Sequence, residues 1–232
     1  MLMLKRTLVA LFATVLVSFV EARALRRGPP TLCFPLDIDT AVTIPLEGER
    51  EKLGGTALDE AVIAALAKQD DPIVHMETLR RAYFLGTSNE ERHALGERLE
   101  DRVLDLELTP DSETSRATAL AWFDLGYWRR IVSQGHERDD AKAIPCVDKA
   151  VRMQPKDGGL RLGSMYVLFD HRARRSDYYV AVAAAHAAAK DADSRLGRNL
   201  KRTLEQFSPE LIADGYPAIT AKAQAAATAA KR

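Results

Sequence analysis

The sequence predicts an all-α protein in which antiparallel helical hairpins stack as a repeat-like array or an irregular bundle. Beyond residue 56, apolar residues recur three and four positions apart, the spacing of one helix face. Helix-starting pairs recur as well, as in Asp71-Pro72 and in Ser88 with Glu91. No alternating apolar and polar run marks a strand in that region. We therefore expect helices throughout residues 56–214, which we take as one helical domain.

Composition is that of a globular chain long enough for one sizeable core. The chain has 232 residues, of which 47% are hydrophobic and 28% charged. Lys and Arg together number 33, and so do Asp and Glu, so the formal net charge is zero. Since no overall positive field favours a polyanion, we expect no nucleic-acid partner.

Residues 1–24 have the pattern of a secretory signal peptide. Lys5 and Arg6 form a basic start, an apolar run follows over Thr7–Val20, and Ala22-Arg23-Ala24 supplies small residues for cleavage. The apolar run is shorter than the ~20 residues of a membrane helix. We expect cleavage after Ala24 and export to the periplasm or the outside. In the alternative, the segment stays uncleaved and anchors the protein to a membrane.

Residues 25–55 predict an extended arm. Four prolines and four glycines interrupt any helical pattern there, and residues that precede proline favour extended backbone. We place one short strand near Ala41–Ile44.

The first four helices are predicted from their end signals. The first begins at a Thr56 cap, and the second begins at Asp71-Pro72 and stops at Gly86. The third begins at the capping box of Ser88 and Glu91 and carries an apolar row on its inner side. The fourth begins at Thr109-Pro110 and ends near Gly135. The row of the third helix is Leu95, Leu99, Val103 and Leu106.

Further helices complete the domain. The fifth is predicted over Asp140–Met153, where Pro145 would bend it or delay its start. A turn at Asp157-Gly158-Gly159 separates it from a sixth over Leu160–His171. Ser176 would cap an alanine-rich seventh, and the eighth carries Leu196, Leu200, Leu204 and Phe207 one turn apart. Residues 215–232 are predicted to be an alanine-rich tail, a frayed helix that buries little.

The stretch from Ser115 to Tyr166 carries both tryptophans and is the strongest architectural signal. Trp122-x-x-Leu125-Gly126, then Ala143, Val147, Ala150 and Pro155, then Leu162-Gly163-x-x-Tyr166 resemble a tetratricopeptide-like helical-hairpin repeat over about residues 119–170. The pattern departs from the family at Arg129, where Tyr is usual, and at Gly159, where Trp is usual. The resemblance implies a concave surface that binds a protein or peptide through Tyr127 and Arg130. The alternative is an irregular bundle.

The two cysteines, Cys33 and Cys146, allow one intramolecular pairing. Export would permit this disulfide, which would staple the arm to the helical domain. Two buried thiols are the alternative.

Catalytic and metal-binding patterns are weak. No two of the five histidines stand at metal-ligand spacing. The His136–Asp140 cluster has ligand-type side chains, but we favour a solvated loop whose acids begin the fifth helix over a metal site. Gly158-Gly159-x-x-x-Gly163-Ser164 lacks the lysine of a phosphate loop. We predict no metal site, no cofactor and no catalytic residue.

These observations favour an exported, non-enzymatic helical protein that binds a protein or peptide. One alternative is a small exported hydrolase with acidic residues in a helical bundle, which requires an acid/base pair in a pocket. The other is a membrane-anchored envelope protein. The sequence leaves the partner and the oligomeric state open.

Overall fold

The structure, a computed structural model, describes residues 32–231 apart from 33, 47, 110, 112–114 and 136–139. Within these residues every regular element is a helix, so the predicted all-α class is confirmed. None of the described helices is both long and apolar enough to cross a membrane. The predicted signal peptide lies outside the described residues.

The described residues form a series of α-helices joined by short connections. They are α1 (Leu58–Leu66), α2 (Pro72–Leu85), α3 (Asn89–Glu107), α4 (Arg116–Gly135), α5 (Asp140–Met153), α6 (Gly158–Leu168), α7 (Arg175–Ala188), α8 (Arg195–Phe207) and α9 (Ile219–Ala229). Single 3₁₀ turns lie at Arg50–Leu53, Arg172–Arg174, Pro209–Leu211 and Tyr216–Ala218. Connections this short make consecutive helices antiparallel neighbours.

Helix α2 is buried on nearly all sides. The Asp71 carboxylate accepts the Ile73 amide at 2.8 Å, and Pro72 occupies the first turn, as the sequence predicts. Eleven of its 14 residues are buried, because α1, α4, α6 and the N-terminal arm surround it. Apolar and polar side chains on several faces are buried, including Val74, His75 and Glu77. A helix that is covered all round is a core helix.

Two glycines let α4 approach its neighbours closely. A Cβ on Gly126 would stand 2.7 Å from a Val147 methyl group and 2.9 Å from the Ala143 carbonyl of α5. A Cβ on Gly163 of α6 would stand 2.3 Å from two ring atoms of Phe123 on α4. Real Cβ atoms do not come this close to neighbours, so both crossings require glycine. Helix α5 begins at Asp140 with Pro145 inside it, so the proline does not delay its start.

The arm is part of the core rather than a separate extension. Leu36, Ile38 and Ile44 are buried in the same cluster as the helices. Arg50 reaches α3, where its guanidinium hydrogen bond holds the pKa of Glu91 down at about 2. The strand predicted near Ala41–Ile44 is wrong, since these residues have irregular backbone. Their backbone groups form hydrogen bonds with side chains of the helices instead. Arg81 of α2, for example, donates to the Ile44 carbonyl at 3.0 Å.

Three predicted helix starts are wrong. Helix α1 follows Ala57 without a side-chain cap, one residue after Thr56. Helix α4 begins at Arg116 rather than at Thr109-Pro110. Helix α7 begins at Arg175, and the Ser176 hydroxyl donates to the Ala227 carbonyl of α9 at 3.0 Å instead of capping its own helix. In the last case a partner distant in sequence competes with the local cap.

The alanine-rich C-terminal segment also differs from its prediction. Helix α9 packs along α7 and buries Ile219, Ala223 and Ala227. The alanines of both helices let their backbones approach, and the segment therefore belongs to the fold rather than fraying from it.

Candidate functional site

Helix α4 holds the two partner-binding residues predicted from the repeat resemblance, and it turns both inward. Tyr127 is 1% exposed and packs against Phe123 and Tyr166, at ring centroid distances of 5.8 and 6.4 Å. Burial raises the pKa of its hydroxyl well above the usual value. Arg130 is 3% exposed and donates to the Asp170 carboxylate at 2.8 Å. Neither side chain offers a contact surface in this structure.

Of the two cysteines of the predicted disulfide, the structure describes only Cys146, because Cys33 lies outside the described residues. Cys146 is a free, buried thiol in α5. Its Sγ donates to the Lys142 carbonyl at 3.3 Å and accepts from the Arg129 guanidinium at 3.2 Å. Burial raises the pKa of this thiol, so at neutral pH it is not a thiolate nucleophile.

The glycine-rich stretch that resembles a phosphate loop is the first half of α6. The Asp157 carboxylate caps the helix by accepting the Leu160 amide at 3.0 Å. A Cβ on Gly159 would stand 3.0 to 3.1 Å from the Pro72 ring, so α2 fills the space in front of that glycine. Of the His136–Asp140 cluster, 136–139 lie outside the described residues. Among the residues described, no group of three or more His, Cys, Asp or Glu side chains is placed to hold a metal.

A buried charge cluster joins α2, α3 and α4. The fully buried Asp124 carboxylate accepts from His75 Nδ1 at 2.8 Å and from the Arg102 guanidinium at 2.6 Å. His75 Nε2 lies 2.9 Å from the Gln69 carbonyl, which can only accept. Burial alone would lower the pKa of His75, but the Asp124 charge and hydrogen bond outweigh it, so the pKa is raised. Both ring nitrogens therefore act as donors, and the imidazolium is a structural cation.

A second buried acid ties the arm to α2. The Glu77 carboxylate accepts from Arg80 at 2.8 Å, from Arg81 at 2.9 Å and from the Leu36 amide at 3.0 Å. Burial alone would raise the pKa of Glu77, but these donors prevail and lower it. Internal hydrogen bonds thus occupy both buried carboxylates, Asp124 and Glu77. Neither faces a cleft in which it could act as a general base.

The surface feature best suited to binding is a cleft of about 590 Å³ between α3, α4 and the end of α2. We call it the Trp128 cleft. Trp128 is buried beneath it, and its indole N–H donates to the Arg92 carbonyl of α3 at 3.3 Å. Gly96 lies directly above the indole, and a Cβ there would meet Nε1 at 3.4 Å. The lining consists of Tyr83, Asn89, Arg92, His93, Gly96, Glu97, Glu100, Trp128, Arg129, Val132, Ser133 and Lys142.

The rim of the Trp128 cleft is charged and held in place. Arg92 stacks on Tyr83, with its guanidinium carbon 4.6 Å from the ring centroid, and donates to the Gly86 carbonyl at 2.7 Å. Arg129 donates to Glu100 at 2.6 Å across the opening. Trp128 and Tyr83 are buried beneath the rim, so a ligand would meet mainly the arginines and carboxylates. Arginine is enriched in binding hot spots. The volume suits a side chain or a short peptide segment.

A second, shallower cleft of about 750 Å³ lies where α2, α6 and α8 begin. Its arginines are paired with helix-capping acids: Arg116 donates to Asp157 at 2.6 Å, and Arg195 donates to Asp71 at 2.5 Å. Because Arg116 and Arg195 hold helix ends there and the cleft is the shallower of the two, we develop the Trp128 cleft instead.

The sequence interpretation missed the Trp128 cleft. Trp128 belongs to the Ser115–Tyr166 stretch, but nothing in the sequence points to α3 as its partner. The available signal was Gly96, a glycine in the middle of a helical pattern that is otherwise free of helix breakers. A glycine in such a position indicates that another element packs closely against the helix there, or that the missing side chain leaves a cleft.

Compared with models of known protein families, with curated proteins and with solved structures, the chain matches none of them.

Proposed function

We propose that this protein is an exported, non-enzymatic helical module that binds a protein or peptide at the Trp128 cleft. The observation that carries the proposal is the cleft itself, which lies over the buried Trp128 and has a rim of arginines and carboxylates fixed by their own contacts. The proposal of export stands on the pattern of residues 1–24, and a disulfide between Cys33 and Cys146 would accompany it.

A catalytic role has less support. A hydrolase needs an acid/base pair exposed to a substrate, whereas Asp124 and Glu77 are sealed by His75, Arg102, Arg80 and Arg81. On the rim, Glu97 lies 3.4 Å from His93, and both side chains stand open to solvent rather than enclosed around a substrate. We therefore develop the binding function rather than a reaction.

Gly96 supplies the test of binding. Gly96→Leu would place a side chain over the indole and fill the cleft, while Gly96→Ala adds only a methyl group in ordinary contact with Trp128. A photo-crosslinking residue in place of His93, at the rim, should capture a partner from the exported compartment. Capture should be lost in the Gly96→Leu background and kept in the Gly96→Ala background.

The same crosslinker in place of Val42, an exposed arm residue outside the cleft, is the matched control. Equal capture from both positions, or capture unchanged by Gly96→Leu, would overturn the proposed site. N-terminal sequencing of the exported protein tests localisation: a start at Leu25 supports cleavage, and an intact Met1 supports the anchored alternative.

A further inference from the structure

Two exposed leucines stand on the outer face of α3. Leu104 is 60% exposed and Leu108, which directly follows the helix, is 86% exposed. The inner face of the same helix buries Leu95, Leu99 and Val103. Since the two leucines are four residues apart, they lie one above the other on a single face. They cannot be core residues of this chain as it is folded here.

Acidic residues flank these leucines. Asp101 and Asp105 are exposed, and neither forms an ion pair with any residue that the structure describes. We call Asp101, Leu104, Asp105 and Leu108 the α3 ridge. The exposed face of the helix also carries Glu90, Glu97 and Glu100, against Arg98, whose nearest carboxylate is Asp59 at 3.9 Å. The other arginine of this half, Arg102, turns inward to Asp124. The face therefore presents apolar side chains within a negative field.

The α3 ridge continues the Trp128 cleft. Glu100 lines the cleft and lies one helical turn before Leu104. From Gly96 to Leu108 the helix rises about 18 Å, at about 1.5 Å per residue. A partner helix of about 12 residues would span both features at the same rise.

The charge of the ridge selects among possible occupants. A second copy packed α3 against α3 would bring Asp101 and Asp105 against like charges, which is destabilising. An anionic lipid surface would be repelled for the same reason. A helix with apolar residues at i and i+4 and with lysine or arginine beside them matches both the leucines and the aspartates.

We propose, building on the binding function above, that the α3 ridge and the Trp128 cleft together hold a cationic amphipathic helix of a partner protein. Its apolar side chains cover Leu104 and Leu108, and its basic side chains pair with Asp101 and Asp105. An apolar residue at one end of the helix enters the cleft above Trp128.

The probe is a fluorescein-labelled model peptide of leucine and lysine, with its leucines in helical register. A peptide of the same composition with the leucines out of register is its control. Fluorescence anisotropy should show the in-register peptide binding at least tenfold more tightly to the full chain. Leu104→Ser with Leu108→Ser should weaken its binding at least tenfold. Asp101→Asn with Asp105→Asn should weaken it and flatten its dependence on salt.

Matched controls use exposed residues away from the ridge. Val42→Ser, on the arm, and Glu205→Gln, on α8, should leave binding unchanged. Thermal melts of every variant should match the wild type, since these side chains are exposed. Equal binding of the two peptides, or equal weakening by ridge and control variants, would refute the ridge as a specific site.

Sedimentation of the wild type without peptide tests whether a second copy of the chain covers the ridge instead of a partner helix. A dimer that dissolves in the Leu104→Ser, Leu108→Ser variant would mean that a second copy covers the ridge, and the proposal would be wrong. Photo-crosslinking at the His93 position separates this inference from the proposed function. If crosslinking to a natural partner persists in the ridge variant, the cleft function stands and the cationic-helix inference fails.

Discussion

Gly163 leaves no room for a side chain at the junction of α2, α4 and α6. Its α-hydrogen faces the Phe123 ring, and a Cβ would stand 2.3 Å from two ring atoms and 3.3 Å from the Met76 sulfur. Gly163→Ala therefore overpacks the junction of α2, α4 and α6, and we expect a loss of about 1–3 kcal/mol in the free energy of unfolding. Urea denaturation monitored by circular dichroism measures it.

Gly96→Ala is the matched control for that prediction. It lies mid-helix like Gly163, but its Cβ has room above Trp128. Alanine is the better helix former by about 1 kcal/mol, so this variant should be as stable as the wild type or more stable. A Gly163→Ala variant as stable as Gly96→Ala would show that the 2.3 Å contact is relieved without cost.

His75 makes stability depend on pH. Its pKa is raised in the folded protein above the value of about 6.5 for an unfolded chain. The imidazolium contributes stability that is fully present below about pH 6.5 and is lost as the pH rises through the folded pKa. Unfolding midpoints measured from pH 6 to 9 should therefore decline.

The His75→Gln variant tests the source of this decline. It cannot titrate, so its midpoint should be lower at pH 6 and should change less with pH. A wild type with constant stability over this range would contradict a charged His75 between Asp124 and the Gln69 carbonyl. The exposed His93, 80% accessible at its side chain, gives His93→Gln as a control that should keep the wild-type pH profile.

At the scale of single elements, α9 shows how small side chains build a contact. Ala223 is buried against the α7 side of the helix, while Ala225 is exposed on the other. Ala223→Glu would bury an unpaired carboxylate in a space that fits a methyl group, and we expect a loss of about 2–4 kcal/mol. Ala225→Glu should change stability by less than about 0.5 kcal/mol. Trypsin cleavage after Lys222, compared between the two, reports whether α9 has left α7. Equal cleavage would mean that α9 contributes little, as the sequence interpretation expected.

Sequence reasoning predicted well the helices whose ends are capped by residues close to them in sequence. Asp71-Pro72 and Gly86 delimit α2, and Ser88 caps α3 by accepting the Glu91 amide at 3.2 Å. These contacts span three or four residues, so the sequence contains both partners side by side. The start of α7 was missed because the Ser176 hydroxyl bonds to Ala227, 51 positions away. No local rule contains that partner.

At the scale of the whole molecule, the sequence indicated the class but not how enclosed α2 is. The tryptophan-rich stretch drew attention to α4 through α6, and α6 is indeed buried at ten of its 11 residues, but nothing in the sequence pointed to α2, which is buried at 11 of its 14. Burial of α2 depends on which helices and which arm surround it, and periodicity within α2 does not encode that. The Trp128 cleft was missed for a related reason: it exists between α3 and α4, and each helix alone shows only one wall.

The arm supplies the last prediction, because it decides whether the molecule unfolds as one unit. Asn199 of α8 accepts the Asp37 amide at 2.8 Å and donates to the Asp37 carbonyl at 2.8 Å. Asn199→Leu keeps the volume but leaves both backbone groups unpaired, at about 1–3 kcal/mol for each. Because Leu36 and Ile38 share the main core, we expect a single, less stable transition rather than release of the arm alone.

Hydrogen exchange should accelerate in residues 36–38 and in α2 together, while the exposed α8 control Lys201→Ala changes neither. Acceleration confined to the arm would mean that it unfolds independently of the body, and the arm would then be a separate layer laid over an α-helical core that is complete without it.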